Sequence, residues 1–370
     1  MNSRSLVLLA MCVALFAVAA CAGDNGASVP PGIVPVLTEF QVPGLVANGP
    51  ERGQISFAVA RDGRLAFTGG FNEKDNFLTV IDTAGRIERF GRRGQGPGEF
   101  SPYVFLSFVG NDEELIVYDQ IQERVVRYAG ARLISTQDVD VPEGWPVNLS
   151  GDSIDYTAGS LGSEVAHAGI LRVSTENSGT RMMVAPDDST YAALFVKRRP
   201  RLPMVATTKD RIVVVNQFIH AFQSFDVNGR PLQTWGKNLP EQFRSEATLD
   251  SLMKGKGPGG GYRVTPQGMK MRLPTSAEER RMLATDRQRY VHSIKFDEPG
   301  RLWVFGKGDD SAGFADIYRD STHIGRIALP CRQALFDESL RGNWLALLCA
   351  APETDAGMRL RLFRLSTDRK

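Results

Sequence analysis

The chain has 370 residues, 42% of them hydrophobic and 23% charged, a balance that supports a packed core and excludes wholesale disorder. Lys and Arg total 44 against 42 Asp and Glu, with no long basic block. That excludes the concentrated basic face a nucleic-acid partner requires.

Arg4 is followed by an apolar run from Leu6 to Ala20, too short to span a bilayer as a helix. Together they read as a signal peptide over residues 1–20. The run ends in Val18-Ala19-Ala20-Cys21, which resembles the bacterial lipobox. The resemblance implies that Cys21 becomes the mature N-terminus and carries a thioether-linked diacylglycerol. An ordinary small-residue cleavage site beside an incidental Cys is the alternative. Residues 21–35, rich in Gly, Ala, Ser, Asn and Pro, read as a flexible tether.

From residue 36 onward the chain repeats itself. The clearest unit, Ile55–Phe100, holds short β-type runs at Ile55–Val59, Arg64–Phe67, Phe77–Asp82 and Arg86–Phe90, punctuated by Asp62-Gly63 and Ala84-Gly85. Further copies begin at Val104, Pro146, Val205 and Val291. The last has runs at Ala334–Phe336, Trp344–Leu348 and Leu360–Phe363, with only a short polar tail after Leu365. Six copies of this length predict an all-β fold, a six-bladed β-propeller spanning residues 36–370. The last copy lacks an outer strand, and Val36–Pro43 alternates apolar and polar as a half-buried edge strand does. It is expected to pair into the last blade and close the ring, which removes an exposed sheet edge.

Between the fourth and fifth copies, from Pro240 to Tyr290, the period breaks. Glu246–Met253 can form a short helix. Thr275 with Glu278, and Ser276 with Glu279, form two overlapping capping boxes ahead of a second one. The glycine-rich linker 255–261 is expected to be mobile. Residues 241–290 are therefore a helical insertion on one face of the ring, able to act as a lid.

The run Phe90-Gly91-Arg92-Arg93-Gly94-Gln95-Gly96-Pro97-Gly98-Glu99-Phe100, with Pro102 behind it, resembles the inter-blade loop of NHL-type propellers. Trp235–Phe243 echoes it in part. With the lipobox, the chain is similar to bacterial six-bladed propeller lipoproteins. The resemblance implies a central channel but no activity. A phosphate-cradle reading of the loop fails, because no Gly-Lys-Ser/Thr follows and strands flank it on both sides.

Cys12 leaves with the signal peptide, so Cys331 and Cys349 remain as one pair in an exported chain. A disulfide and two buried free thiols are both open. His167 and His220 precede the third strands of adjacent copies, so both fall on one face near the channel mouth. Arg198, Arg199 and Arg201 form the densest basic cluster, suited to an anionic group. These five residues are the candidate channel-mouth ligand site. No cofactor is expected. A metal in the channel is the weaker alternative, since zinc wants at least three well-placed ligands.

The expected function is a binding module tethered to the cell envelope by its lipid, serving a protein or small-molecule ligand that the sequence does not specify. The alternative is a propeller enzyme, a lyase or hydrolase, with its site at the channel mouth.

Overall fold

The structure is a computed structural model. It describes residues 33–42, 56–68, 77–141 except 102, 144–158, 169–184 except 178, 204–254 except 238, 241 and 244, 262–264, 270–307 except 286, 313–331, 335–350 and 358–367. The signal peptide, Cys21, most of the tether and the 255–261 linker lie outside these residues.

Six four-stranded antiparallel sheets form the body. Blade I holds Ser56–Val59, Leu65–Thr68, Leu78–Ile81 and Ile87–Phe90, from the innermost strand outward. Blades II to V repeat the order from Val104–Val109, Gly144–Leu149, Met204–Thr207 and Val291–Phe296. Blade VI holds Leu335–Arg341, Trp344–Ala350 and Met358–Ser366, and its outermost strand is Val36–Phe40 from the start of the chain. Val36 pairs with Ser366 and Phe40 with Leu362. The innermost strands of neighbouring blades touch at all six junctions, VI to I included. The chain is a closed six-bladed β-propeller.

The strands read as continuous apolar runs because their two faces are buried in different places. Phe57, Val59 and Leu65 pack against Trp344, Ala346 and Leu362 of blade VI. Ala58 and Ala66, one residue along, pack against Val104, Leu115 and Val117 of blade II. Period-2 alternation thus feeds two cores from one strand. Six buried clusters result, one for each junction. Outermost strands face solvent and are mostly exposed, as in Pro231–Gly236.

The hairpins are set by short-range chemistry. In Asp82–Arg86, Asp226–Arg230 and Asp297–Arg301 the Asp carboxylate accepts the Arg backbone N–H at 2.9, 2.9 and 2.7 Å. The glycine before each Arg takes φ of +83°, +78° and +83°. Asp297 and Arg301 pair at 2.6 Å with both side chains buried, and Trp303 Nε1 donates to the same carboxylate at 2.8 Å. Arg301 also donates to the Ile33 carbonyl at 2.7 Å, so the entering chain is tied to blade V before it reaches blade VI.

The ring has two unlike faces. The turn face carries the first-to-second and third-to-fourth strand turns. The crossover face carries the second-to-third turns and the inter-blade connections. The loop after Phe90 lies on the crossover face. There Glu99 accepts the Gly96 N–H at 2.8 Å and pairs with Arg92 at 2.5 Å. A Cβ at Gly94 would collide with the Glu99 carboxylate, so this glycine is needed for a close approach.

The insertion also rises from the crossover face. Helix α1 is Glu246–Met253 and α2 is Ser276–Thr285. Thr275 caps α2: its N–H donates to Glu278 at 2.8 Å, and its hydroxyl accepts the Glu278 N–H at 3.2 Å. The first of the two overlapping boxes is therefore in use. Arg280 joins the helices through Asp250 and Glu246 at 2.7 and 2.6 Å. Helix α2 stops at Thr285, because Arg287–Gln288 instead pairs with Gln242–Phe243 and gathers the two roots of the insertion.

Cys331 and Cys349 form a disulfide with a Cα–Cα distance of 5.1 Å, inside the cluster that joins blades V and VI.

Candidate functional site

Each innermost strand is hydrogen-bonded on one side only, so its second edge faces the ring axis. Consecutive residues such as Phe105, Leu106 and Ser107 therefore line the same space. The upper channel is a cavity of about 360 Å³, within the range of small-molecule sites. A second cavity of about 240 Å³ continues it toward the turn face.

Part of the polar lining is spent on the ring itself. The Ser56 hydroxyl donates to the Val104 carbonyl, and Ser107 donates to Leu149 O at 3.1 Å. Ser339 Oγ accepts the Val59 N–H at 3.0 Å. These bonds stitch blades I to II, II to III and VI to I.

Three charge-bearing groups remain in the upper cavity: Lys295, Asp337 and Glu338. Asp337 Oδ1 accepts the Glu338 N–H at 2.9 Å. The Asp337 side chain opens onto the channel although it lies deep within the ring. Burial pushes its pKa up, and the Lys295 charge opposes the shift. Glu338 is 4% exposed, and neither carboxylate oxygen has a hydrogen-bond partner of normal geometry among the described residues. Burial lifts its pKa to about 8, with Lys295 opposing, Asp337 adding and the nearby Ser293 hydroxyl opposing. Glu338 therefore holds a proton at pH 7. No ion pair to Lys295 is found among the described residues.

The two ends of the channel differ. On the turn face, Arg61 of blade I pairs with Glu298 of blade V at 2.5 Å, reaching past blade VI. Arg341 of blade VI pairs with Asp112 of blade II at 2.5 Å, reaching past blade I. These bonds draw four blades together. On the crossover face the rim exposes Tyr103, Ile121 and Trp145. The insertion is fastened to the same face: Leu239 N–H donates to Ile219 O at 2.7 Å and Tyr290 N–H to Gln217 O at 2.8 Å.

Of the residues singled out in the sequence, His167, Arg198, Arg199 and Arg201 lie outside the described residues. His220 closes the turn 217–220 of blade IV with φ of +54°. It is buried, with its ring edge-on to Phe222 at 4.9 Å. Burial pushes its pKa down, and its Nδ1 has no partner among the described residues. No group of three His, Cys, Asp or Glu side chains among those residues is placed to hold a metal ion. Their helices include none long and apolar enough to cross a membrane.

Sequence reading gave Asp337 and Glu338 no role and made the strand that carries them too short. The run was expected near Ala334–Phe336, whereas the strand is Leu335–Arg341. Its middle is polar because it lines the channel, so apolar patterning stops short of it. Two adjacent carboxylates just before Ser339, the counterpart of Ser107 in blade II, were the available signal.

No family model matches the chain, and no curated protein sequence does. Solved structures do resemble it. A member of the DUF4221 family from Bacteroides vulgatus shares 11% identity at a TM-score of 0.53, over 91% of this chain and 99% of that one. An exported protein from Bacteroides fragilis shares 11% at 0.46, over 93% and 98%. A virginiamycin B lyase from Staphylococcus aureus shares 12% at 0.42, over 89% and 99%. At such identities the likeness speaks to the fold alone, and the first agrees with the propeller described above.

Proposed function

We propose that the chain is a cell-envelope binding module that receives its ligand through the crossover-face mouth of the channel. The observation that carries this reading is the asymmetry of the ring. One mouth is drawn together by ion pairs, and the other has an exposed aromatic rim above a polar cavity. Aromatic side chains with little conformational freedom are efficient contact surfaces. The envelope location rests on the signal-like N-terminus and on Cys21 as a lipidated residue. His167 and the Arg198, Arg199 and Arg201 cluster belong to the same proposal as further contacts at this mouth, whereas His220, packed on Phe222, does not.

The test is native mass spectrometry of the full chain after incubation with small-molecule extract from its own cells. The wild type is expected to retain a ligand that Ser107→Trp, which plugs the channel, and Trp145→Ala lose. Retention by the plugged variant would overturn the reading. An enzymatic role is the second reading, favoured by the proton that Glu338 holds near neutrality. It predicts a changed product mass in place of a retained ligand.

A further inference from the structure

We propose that the upper channel is a binding site for a small zwitterion, an amino acid or short peptide with free ammonium and carboxylate groups. Lys295 would take the carboxylate and Asp337 the ammonium. The inference rests on the channel being the ligand site, and it adds the chemistry of the ligand.

Three observations converge on this class. First, the Lys295 ammonium and the Asp337 carboxyl lie on the wall of one cavity, no ion pair joins them, and an incoming ammonium would favour the ionised form of Asp337 against the burial that raises its pKa. A lysine and an ionisable carboxyl held apart are complementary to a ligand that carries both signs. A simple anion would meet Asp337, and a metal cation would meet Lys295.

Second, Glu338 is buried beside them, and neither oxygen has a hydrogen-bond partner of normal geometry among the described residues. A buried polar group without partners is costly, and a hydrogen-bonding ligand would recover that cost. The group is protonated at pH 7, so it adds a donor and an acceptor without adding charge. With Asp337 ionised by the ligand's ammonium, Lys295 and Asp337 balance the two charges of a zwitterion.

Third, the wall is built from strand edges. The channel-side backbone groups of each innermost strand have no neighbouring strand. Amide groups of a peptide match such an edge by the same bonds that join strands. The cavity of about 360 Å³ admits a ligand of this size.

The experiment titrates the detergent-purified full chain with L-alanyl-L-alanine, its N-acetyl derivative and its C-terminal amide, by calorimetry at pH 7. The parent dipeptide is expected to bind. Each derivative loses one charge and should bind roughly 10- to 100-fold more weakly, the loss of one charged hydrogen bond. Lys295→Met should weaken the parent by a like factor and no longer distinguish it from the amide. Asp337→Asn should do the same toward the N-acetyl form. Glu338→Gln, which stays neutral and polar, should retain binding. If either variant fails to fold, the three ligands on wild type decide the matter alone. Equal affinity for all three, or no binding of the parent, overturns the inference. If the dipeptide test fails while the wild type retains a ligand that Ser107→Trp loses, the channel reading stands and the zwitterion assignment falls. If the plugged variant keeps its ligand, both fall.

Discussion

Arg61 Nε lies 2.5 Å from Glu298 Oε1, which joins blade I to blade V across the turn-face edge of blade VI. Both side chains are well exposed, so this ion pair contributes only a fraction of a kcal/mol to about 1 kcal/mol. Asp112 is different. It is 3% exposed, accepts the Arg61 N–H at 2.5 Å and pairs with Arg341.

Asp112→Ala is therefore expected to cost about 2–3 kcal/mol, and Glu298→Ala less than about 1. Asp112 also has φ of +65°, which an Asn tolerates better than an Ala. Asp112→Asn should fall between the two. Urea titration of the three variants checks the order, and equal midpoints would contradict it.

Glu338 gives a pH dependence with a definite sign. Its folded pKa of about 8 lies above its ordinary value of 4.5, so the folded protein binds the extra proton. Its contribution to stability is full below about pH 4.5 and is lost as pH rises through about 8. Asp337 shifts in the same direction. Glu338→Gln should raise the melting temperature at pH 8.5 by a few degrees and change it little at pH 5. A wild-type melting temperature that rises between pH 5 and 8 while that of the variant stays flat would show the opposite sign.

The disulfide closes a sequence separation of 18 residues within blade VI. On chain entropy such a loop corresponds to roughly 3 kcal/mol. The paired substitution Cys331→Ser with Cys349→Ser should lose about that much in guanidinium titration. Thiol labelling of unfolded, unreduced protein should find neither residue.

Val36–Phe40 is the outer strand of the blade that contains the chain's last strand, and Arg361 grips Glu39 at 2.8 and 2.5 Å. Deleting 33–43 removes that strand and the Arg301–Ile33 bond, and should lower the melting temperature of the whole domain. Deleting 22–31 touches neither and should leave it unchanged. Equal melting temperatures would mean that the ring does not depend on this closure.

The blades were legible because each strand is buried on both faces, which writes a continuous apolar run into the sequence. Leu115–Tyr118 and Ile212–Val215 are examples. Ring closure was legible because Val36–Pro43 is a strand without a neighbour in its own part of the chain. The channel charges were not. Lys295, Asp337 and Glu338 come together from two blades, and nothing in local spacing records that. His220 drew attention through its sequence neighbour Ala221 and its match to His167, whereas its turn geometry buries the ring beside Phe222.

The path of the chain into the ring sets on which face it is attached. Ile33 is held by Arg301 in a turn-face hairpin, and Val34 packs over Gly325 before the strand climbs toward the crossover face. The polypeptide thus enters from below, on the side where Arg61 and Arg341 draw the blades together. Cys21 is twelve residues upstream, a leash of about 40 Å at full stretch. If Cys21 carries a lipid, as proposed, the anchor joins the ring on its cinched underside and leaves the aromatic rim clear of the attachment point. The tether would then reach the ring without crossing the mouth through which the channel fills.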